Sequence, residues 1–532
     1  MSSDNYNLAL SFARRARSHP GDLALVVGGE AFSYGDLSEK VSALAAALAP
    51  LRRSGRIGVL GTRSLEAYLG ILGACWAGFA YVPLNLKWPA ERLVALMRLL
   101  DLDALVCDAN GAALLGAEVL AAAPDLVVAP DGETISPARR GQRLASRERL
   151  AAPLLPEPTH VPADALGYVI FTSGTTGLPK GVMISAGSLA HYVEQSRSWT
   201  AYRPQDRIGE ACDVTFDLTV HNLFLCLEAG ASLHVMSQLE LMAPARFIRR
   251  QALTVWMSVP TVIGLMRRSG VLKPGLLPSL RLSIFCGEPL PLEAAQAWAA
   301  AAPNGVVENI YGPTECTVIG LRQRLTDPPV LTQSRGIVAI GAPYPTMEVA
   351  ILDDRQRPVP PGAPGEIALA GPQLGIGYFG QPELTADRFR VIDGKRWYLT
   401  GDLGSRDADG VFHHLGRIDN QVKVKGNRIE LEEVDMHLRR AAGTELAATV
   451  AWPVTHGSAE GLVSFVVGGG IAEDEIRARM LTGLPRYMLP AAIHRLDAMP
   501  QNVNGKIDRR ALLALLDLGV AATPARTRET VA

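Results

Sequence analysis

The segment from Tyr168 to Gly181 constrains this chain more than any other. An apolar run, Tyr168-Val169-Ile170-Phe171, passes directly into Thr172-Ser173-Gly174-Thr175-Thr176-Gly177-Leu178-Pro179-Lys180-Gly181. β-Branched and aromatic residues in such a run predict a buried strand. The glycines and hydroxyl residues that follow predict a loop at its end. A loop of this composition lets backbone N–H groups approach phosphate oxygens without a Cβ clash. The hydroxyls of Thr172, Ser173, Thr175 and Thr176 add donors, and Lys180 adds positive charge. The spacing is neither G-x-x-x-x-G-K-[ST] nor G-x-G-x-x-G. Taken alone, the residues also allow an ordinary Gly/Ser/Thr turn.

The surroundings favour layered α/β architecture. RIGVLGTR, DALVCDAN, PDLVVAPD, GASLHVM, LTVWMSVP, LRLSIFCGE and GVVENIYG each read as a short strand approaching a turn. Helical segments such as LEAYLGILGACW and PLEAAQAWAAAA alternate with them, as expected of sheets covered by helices. Ser38 either caps the helix that follows FSYGDL or lies within its first turn. After about residue 330 the pattern shifts toward sheet, with GEIALAG, WYLTGDLG and VFHHLG. From about residue 420 a smaller α/β unit is expected: QVKVK alternates and reaches a turn signal at Gly426–Asn427, ELEEVDMHLRRA is helical, and IDRRALLALL forms a last helix. Residues 110–160 read as scaffold and connection. The expected organisation is a large multi-subdomain domain over 1–418, a small mobile α+β domain over 419–515, and a tail over 516–532.

Composition narrows the function classes. At 532 residues the chain is too long for one ordinary core. A net charge of −1 gives no support for a nucleic-acid surface. No basic stretch followed by a long apolar core opens the chain, and no apolar run of about 18 residues occurs. No membrane association and a cytoplasmic location are therefore the expectations. Cys75, Cys107, Cys212, Cys226, Cys286 and Cys316 show no C-x-x-C spacing, so they read as small buried hydrophobes.

Four further segments carry chemistry. In Tyr311-Gly312-Pro313-Thr314-Glu315 the Tyr ring offers a stacking face, Thr314 a phosphate hydrogen bond, and Glu315 a hard oxygen ligand for Mg²⁺. A core tyrosine beside a surface acid is the alternative. Asp402 can accept from ribose hydroxyls or merely cap a turn. Arg417 presents a rigid donor fork. Lys506, in a Gly-Lys turn, is either solvated or a mobile cation.

Together these segments resemble the adenylate-forming superfamily, which includes acyl- and aryl-CoA synthetases, nonribosomal peptide synthetase adenylation domains and firefly luciferase. FSYGDL, AGFAYVPLN, YVIFTSGTTGLPKGV, NIYGPTE, YLTGDLG, GRIDNQVKVKGNRIE and NGKIDRRAL occur in the family's order across almost the whole chain. The resemblance implies an enzyme that uses ATP and Mg²⁺ to join a carboxylic acid to AMP. It gives Thr172, Ser173, Gly174, Thr175, Thr176, Gly177 and Lys180 to the phosphates. It puts Tyr311 on adenine, Asp402 and Arg417 on ribose, and Glu315 on the metal, with Thr314 beside it. Lys506 falls to the reacting carboxylate and α-phosphate, Asp419 to a hinge, and Gly426 to the region of an incoming thiol. Leu399 replaces the basic residue that often precedes TGD.

Phe216-Asp217-Leu218-Thr219 resembles the F-D-x-S segment of peptide-synthetase adenylation domains, whose acid pairs with a substrate amino group. A helix cap is the alternative for Asp217. The same alignment gives Phe216, Asp217, Leu218, His221, Met257, Ile284, Cys286, Gly287, Ile310, Val318 and Ile319 to an acid pocket that is mostly apolar. His221 either bonds a polar group of the substrate or completes a network behind the pocket. The expected substrate is an amino acid or related small carboxylic acid with an uncharged side chain, proline-like or aliphatic, or a β-amino acid. The expected acceptor is the phosphopantetheine thiol of a separate acyl or peptidyl carrier protein, since no Gly-x-x-Ser attachment segment follows. Such enzymes serve nonribosomal peptide and antibiotic biosynthesis. A small-acid or amino-acid CoA ligase is the alternative.

Overall fold

A computed structural model gives the structure of residues 4–51, 53–150, 154–173, 179–455, 458–468, 470–501 and 507–519. Contacts divide the chain into two compact units. The larger comprises Met1–Leu86, Leu93–Phe171 and Lys180–Ile418; the smaller comprises Lys87–Arg92, Thr172–Pro179 and Asp419–Ala532.

The elements that position the site in the larger unit are α1 (Ala186–Thr200), β1 (Arg207–Glu210), α2 (Leu218–Ala229), β2 (Val255–Ser258), β3 (Leu282–Phe285), β4 (Val306–Tyr311), β5 (Lys395–Arg406) and β6 (Phe412–Arg417). A nine-stranded sheet runs Ala342–Pro343, Leu321–Arg324, β4, β3, β2, β1, Ser232–Val235, Leu23–Val27, Glu30–Ser33. Its six central strands pair in parallel, and the outer ones antiparallel. β2 and β3 are buried along their full length, which is why their sequences, VWMS and LSIF, are mostly apolar and lack a polar alternation.

A second, eight-stranded sheet contains Leu166–Thr172 and Lys180–Ser185, the strands flanking the glycine loop. Its edge strand Arg143–Ala145 lies in the segment read as connection. A third, five-stranded antiparallel sheet holds β5 and β6, matching the sheet-rich pattern after residue 330. The helix Tyr34–Leu48 starts in a capping box between Ser33 and Asp36, so Ser38 lies inside the helix and does not cap it.

The smaller unit has a four-stranded and a three-stranded sheet with the helices Leu431–Ala442, Glu473–Met480 and Arg509–Asp517. Val424, Ile429, Val434, Leu438, Ile476 and Met480 form part of its core. The hairpin Gln421–Val424/Asn427–Glu430 turns at Lys425 and Gly426, with φ of 49° and 82°. The turn is therefore one residue earlier than the Gly-Asn signal implied, because Asn427 is already paired with Val424.

None of the six cysteines forms a disulfide, and five are buried. Among the described residues, no helix is long and apolar enough to cross a membrane. The tail over 520–532 lies outside the described residues.

Candidate active site

Asp402 is the centre of a charged cluster in the larger unit. β5 and β6 pair so that Asp402 faces Arg417 directly, and Arg417 Nη1 lies 2.8 Å from Asp402 Oδ1. The Tyr311 hydroxyl, at the end of β4, donates to Oδ2. His414 Nε2 lies 3.4 Å from Oδ1. The carboxylate is 8% exposed. Burial alone would push its pKa up, but hydrogen bonding from His414 and Tyr311 and the Arg417 charge hold it far below the usual carboxylate range. Asp402 is therefore anionic at neutral pH. Three residues from separate sequence motifs thus meet in one cluster, joined by His414, which carried no sequence signal.

The loop after β4 explains its glycine and an unusual backbone. A Cβ on Gly312 would lie 2.4 Å from the Val318 carbonyl oxygen. Thr317 and Val318 adopt φ of 51° and 72°, costly for β-branched residues. The Thr317 hydroxyl donates to the Gln373 carbonyl at 2.5 Å, and Gln373 Nε2 donates to the Ile319 carbonyl at 2.8 Å. This brace buries Val318 and Ile319 and was not legible from sequence.

Thr314–Cys316 form a short 3₁₀ turn that buries Glu315 completely. Glu315 Oε1 accepts from the Tyr378 hydroxyl at 2.8 Å. Among the described residues, no three His, Cys, Asp or Glu side chains cluster as a metal site. A single carboxylate oxygen donor fits one class of ion, a hard cation whose remaining ligands are water and substrate phosphates, and so fits Mg²⁺.

On the phosphate-loop segment, Lys180 begins its strand with its side chain buried. The Thr172 hydroxyl is buried and has no hydrogen-bond partner among the described residues. Ser173 Oγ donates to the Arg428 carbonyl at 2.8 Å, leaving that hydroxyl's lone pairs rather than its proton for other partners. Gly174, Thr175, Thr176 and Gly177 lie outside the described residues, as does Lys506. Asp419 accepts from the Gln421 backbone N–H at 3.1 Å, and Gly426 forms the hairpin turn described above.

The acid-pocket residues gather at the C-terminal ends of the parallel strands. Met257, Ile284 and Glu308 are in register across β2, β3 and β4 and so share one face. Cys286 and Ile310, two positions further on, continue that face. Leu218, Met257, Ile284, Cys286, Ile310, Val318 and Ile319 all belong to one buried apolar cluster. Gly287 follows with φ 86°.

A tight turn precedes Asp217 at the start of α2. Asp213 Oδ1 accepts from Thr215 N and Oγ1, and the Asp213 carbonyl accepts from Phe216 N and Thr219 Oγ1. Asp217 and Phe216 are half-buried. Asp217 stands at the N-cap position of α2, yet its side chain makes no capping hydrogen bond. Its negative charge nonetheless sits well at a helix N-terminus.

His221 is fully buried on α2. Its Nδ1 is 2.5 Å from the Tyr192 hydroxyl and its Nε2 is 3.2 Å from the Tyr202 hydroxyl. Both ring nitrogens are thus engaged by protein groups, which is the network alternative rather than direct bonding to a substrate. Burial pushes the imidazole down to about 3, so it is neutral at physiological pH. Tyr344 stacks on Tyr192 with centroids 6.5 Å apart and accepts from Trp199 Nε1 at 2.9 Å. This aromatic layer was missed from sequence because its members come from separate segments of the chain.

The chain resembles known proteins over most of its length. Residues 12–379 match the family described as AMP-binding enzyme. The chain is 32% identical over 518 residues to tyrocidine synthase 2 of Brevibacillus parabrevis, covering 95% of this chain but 14% of that protein. It is 33% identical over 524 residues to novobiocin biosynthesis protein H of Streptomyces niveus, covering 96% of this chain and 83% of that one. Among solved structures, the Vibrio cholerae adenylation domain AlmE in complex with glycyl-adenosine-5'-phosphate superimposes with a TM-score of 0.85. It is 30% identical, with 97% of this chain and 99% of that chain covered.

Proposed function

The chain belongs to the AMP-binding enzyme family and is an ATP-dependent adenylate-forming ligase resembling nonribosomal peptide synthetase adenylation domains, and from that premise we propose that it activates an amino acid. The first half-reaction joins the amino acid carboxylate to the α-phosphorus of ATP and releases pyrophosphate. The second passes the aminoacyl group to the phosphopantetheine thiol of a carrier protein in natural-product biosynthesis.

The observation that carries the amino-acid reading is Asp217, a half-buried carboxylate at the start of α2 whose neighbour Leu218 belongs to the apolar cluster. A buried carboxylate and a bound ammonium each offset part of the other's desolvation cost. The glycyl adenylate held by AlmE supports an aminoacyl adenylate as the intermediate here. The apolar face of Met257, Ile284, Cys286 and Ile310 favours an uncharged side chain.

The residues divide the work by position. Asp402 and Arg417 hold ribose, and Tyr311 lies beside the adenine. Thr172, Ser173, Gly174, Thr175, Thr176, Gly177 and Lys180 hold the leaving phosphates. Thr314 would hydrogen-bond phosphate, and Glu315 would hold Mg²⁺, which would offset the phosphates' charge. Lys506 aligns the carboxylate and stabilises charge gathering at the α-phosphate. Residues 1–418 form the adenylating domain and 419–515 a lid hinged at Asp419, whose Gly426 region receives the thiol. No enzyme nucleophile is needed, so the six cysteines stay outside the chemistry.

ATP–pyrophosphate exchange with α-amino, β-amino and non-amino acids tests this reading. Exchange with an amino acid at a much higher kcat/KM than with its des-amino analogue is expected. Exchange restricted to non-amino acids contradicts it. Offering coenzyme A or a phosphopantetheine-bearing carrier protein with a free thiol as acceptor, with AMP as the leaving group, then tests the second step.

A further inference from the structure

Val318 and Ile319, neighbours in the acid-pocket assignment, depend on a backbone that β-branched residues disfavour. Successive residues of a regular strand point to opposite faces. Yet both side chains are buried in the one apolar cluster that also holds Met257, Ile284 and Ile310. The left-handed conformations of Thr317 and Val318, with φ of 51° and 72°, break the alternation. Such a conformation persists only where its surroundings over-determine it.

Two sets of contacts do so. The chain first folds back on Gly312: Gly320 N donates to the Tyr311 carbonyl at 2.9 Å, and a Cβ on Gly312 would lie 2.7 Å from Ile319 Cα. Gln373, itself fully buried, then holds both ends of the left-handed pair. Its carbonyl accepts from the Thr317 hydroxyl at 2.5 Å, and its Nε2 donates to the Ile319 carbonyl at 2.8 Å. Further along the same segment the contacts go to Glu315. Gly375 N donates to the Glu315 carbonyl at 2.8 Å, and the Tyr378 hydroxyl to Glu315 Oε1 at 2.8 Å. The segment 373–378 thus braces Val318 and Ile319 at one end and the acid Glu315 at the other.

We propose that Thr317 and Gln373 are positioning residues for substrate specificity: together they hold the left-handed turn that presents Val318 and Ile319 to the substrate side chain. Neither residue needs to touch the substrate. The inference rests on the reading of Val318 and Ile319 as pocket walls. It adds that the depth of the pocket is set behind those walls, by one hydroxyl–carbonyl and one amide–carbonyl hydrogen bond. When either bond is lost, the turn relaxes toward negative φ and the wall withdraws.

The test measures ATP–pyrophosphate exchange with glycine, alanine, 2-aminobutyrate, norvaline and norleucine, a ladder that grows by one carbon per step. It compares the full chain with its Val318→Ala, Thr317→Val, Thr317→Ser, Gln373→Met and Tyr378→Phe variants. The wild type should show one steep step in kcat/KM along the ladder, and Val318→Ala should move that step to a longer side chain. Thr317→Val and Gln373→Met should each flatten the step about fivefold, with KM for ATP unchanged. Thr317→Ser, which keeps the hydroxyl, should keep the step. Tyr378→Phe, at the other end of the segment, should slow every amino acid alike. If the wild type uses none of the ladder, or Val318→Ala leaves it unchanged, the pocket reading fails. If Val318→Ala moves the step but Thr317→Val and Gln373→Met match the wild type, the pocket reading stands and the positioning role is overturned. Equal flattening by Tyr378→Phe would mean general loosening and would overturn it too. Should Gln373→Met not fold, Thr317→Val against Thr317→Ser decides alone: equal ladders in the two contradict the proposal.

Discussion

The two halves of the candidate site recognise their ligands by opposite means. Around Asp402, charge and fixed hydrogen bonds dominate: Arg417, Tyr311 and His414 converge on one carboxylate from two adjacent strands and a neighbouring sheet. In the acid pocket, Asp217 is the one charged member; the rest is apolar surface from the ends of β2, β3 and β4, with a neutral His221 behind it. The first region suits a ligand that never changes, since fixed donors discriminate strongly against anything lacking the matching group. The second discriminates by volume, where a missing methylene costs only about 1–3 kcal/mol. Substitutions in the first should slow every acid alike, while those in the second should re-rank acids.

The largest expected effect is on the shared chemistry. Lys506→Ala should cut exchange about 10²–10³-fold for every acid while leaving ATP binding by calorimetry nearly unchanged. Wild-type rates would remove Lys506 from the mechanism. Glu315→Gln should come next, raising the Mg²⁺ needed for half-maximal exchange about tenfold or more and again without reference to the acid. A Mg²⁺ titration identical to that of the wild type would detach the metal from this residue.

On the pocket side, Asp217→Ala should lower kcat/KM about tenfold or more for an amino acid relative to its des-amino analogue. An equal loss for both would erase the contrast between the two regions. His221→Ala should shift preference about tenfold toward longer side chains, with KM for ATP unchanged. The smallest effect concerns pH. His221 gains a proton only as pH falls toward about 3, so it stays neutral at and above pH 6. The ranking of acids should therefore be flat between pH 6 and 8, and a ranking that inverts near pH 6.5 would show that this imidazole titrates.

The same contrast governs what the sequence reveals. Tyr311, Asp402 and Arg417 were legible because each sits in a short contiguous word with few alternative uses. The register that sets Asp402 against Arg417 was not, since a strand's pairing partner leaves no local mark. His414 lies three residues from Arg417 and carried no signal of its own. The apolar pocket members were found as a list, but their common face depends on parallel pairing of Met257 with Ile284 and of Ile284 with Glu308. Tyr192, Tyr202 and Tyr344 come from three separate segments and meet only in the folded chain. Local chemistry also misled by small steps. Sequence left Ser38 as either a cap or a first-turn residue, and the actual capping box is formed by Ser33 and Asp36. The Gly-Asn pair signalled a turn whose true centre is Lys425–Gly426.

The account stands on attack by the substrate carboxylate at the α-phosphorus. The most direct measurement uses an amino acid that supports exchange, labelled with ¹⁸O in its carboxylate, and follows one full turnover with a thiol acceptor. The expected result is one ¹⁸O atom in AMP and none in pyrophosphate. Label appearing in inorganic phosphate, with ADP as the co-product, would mean attack at the γ-phosphorus and would contradict it.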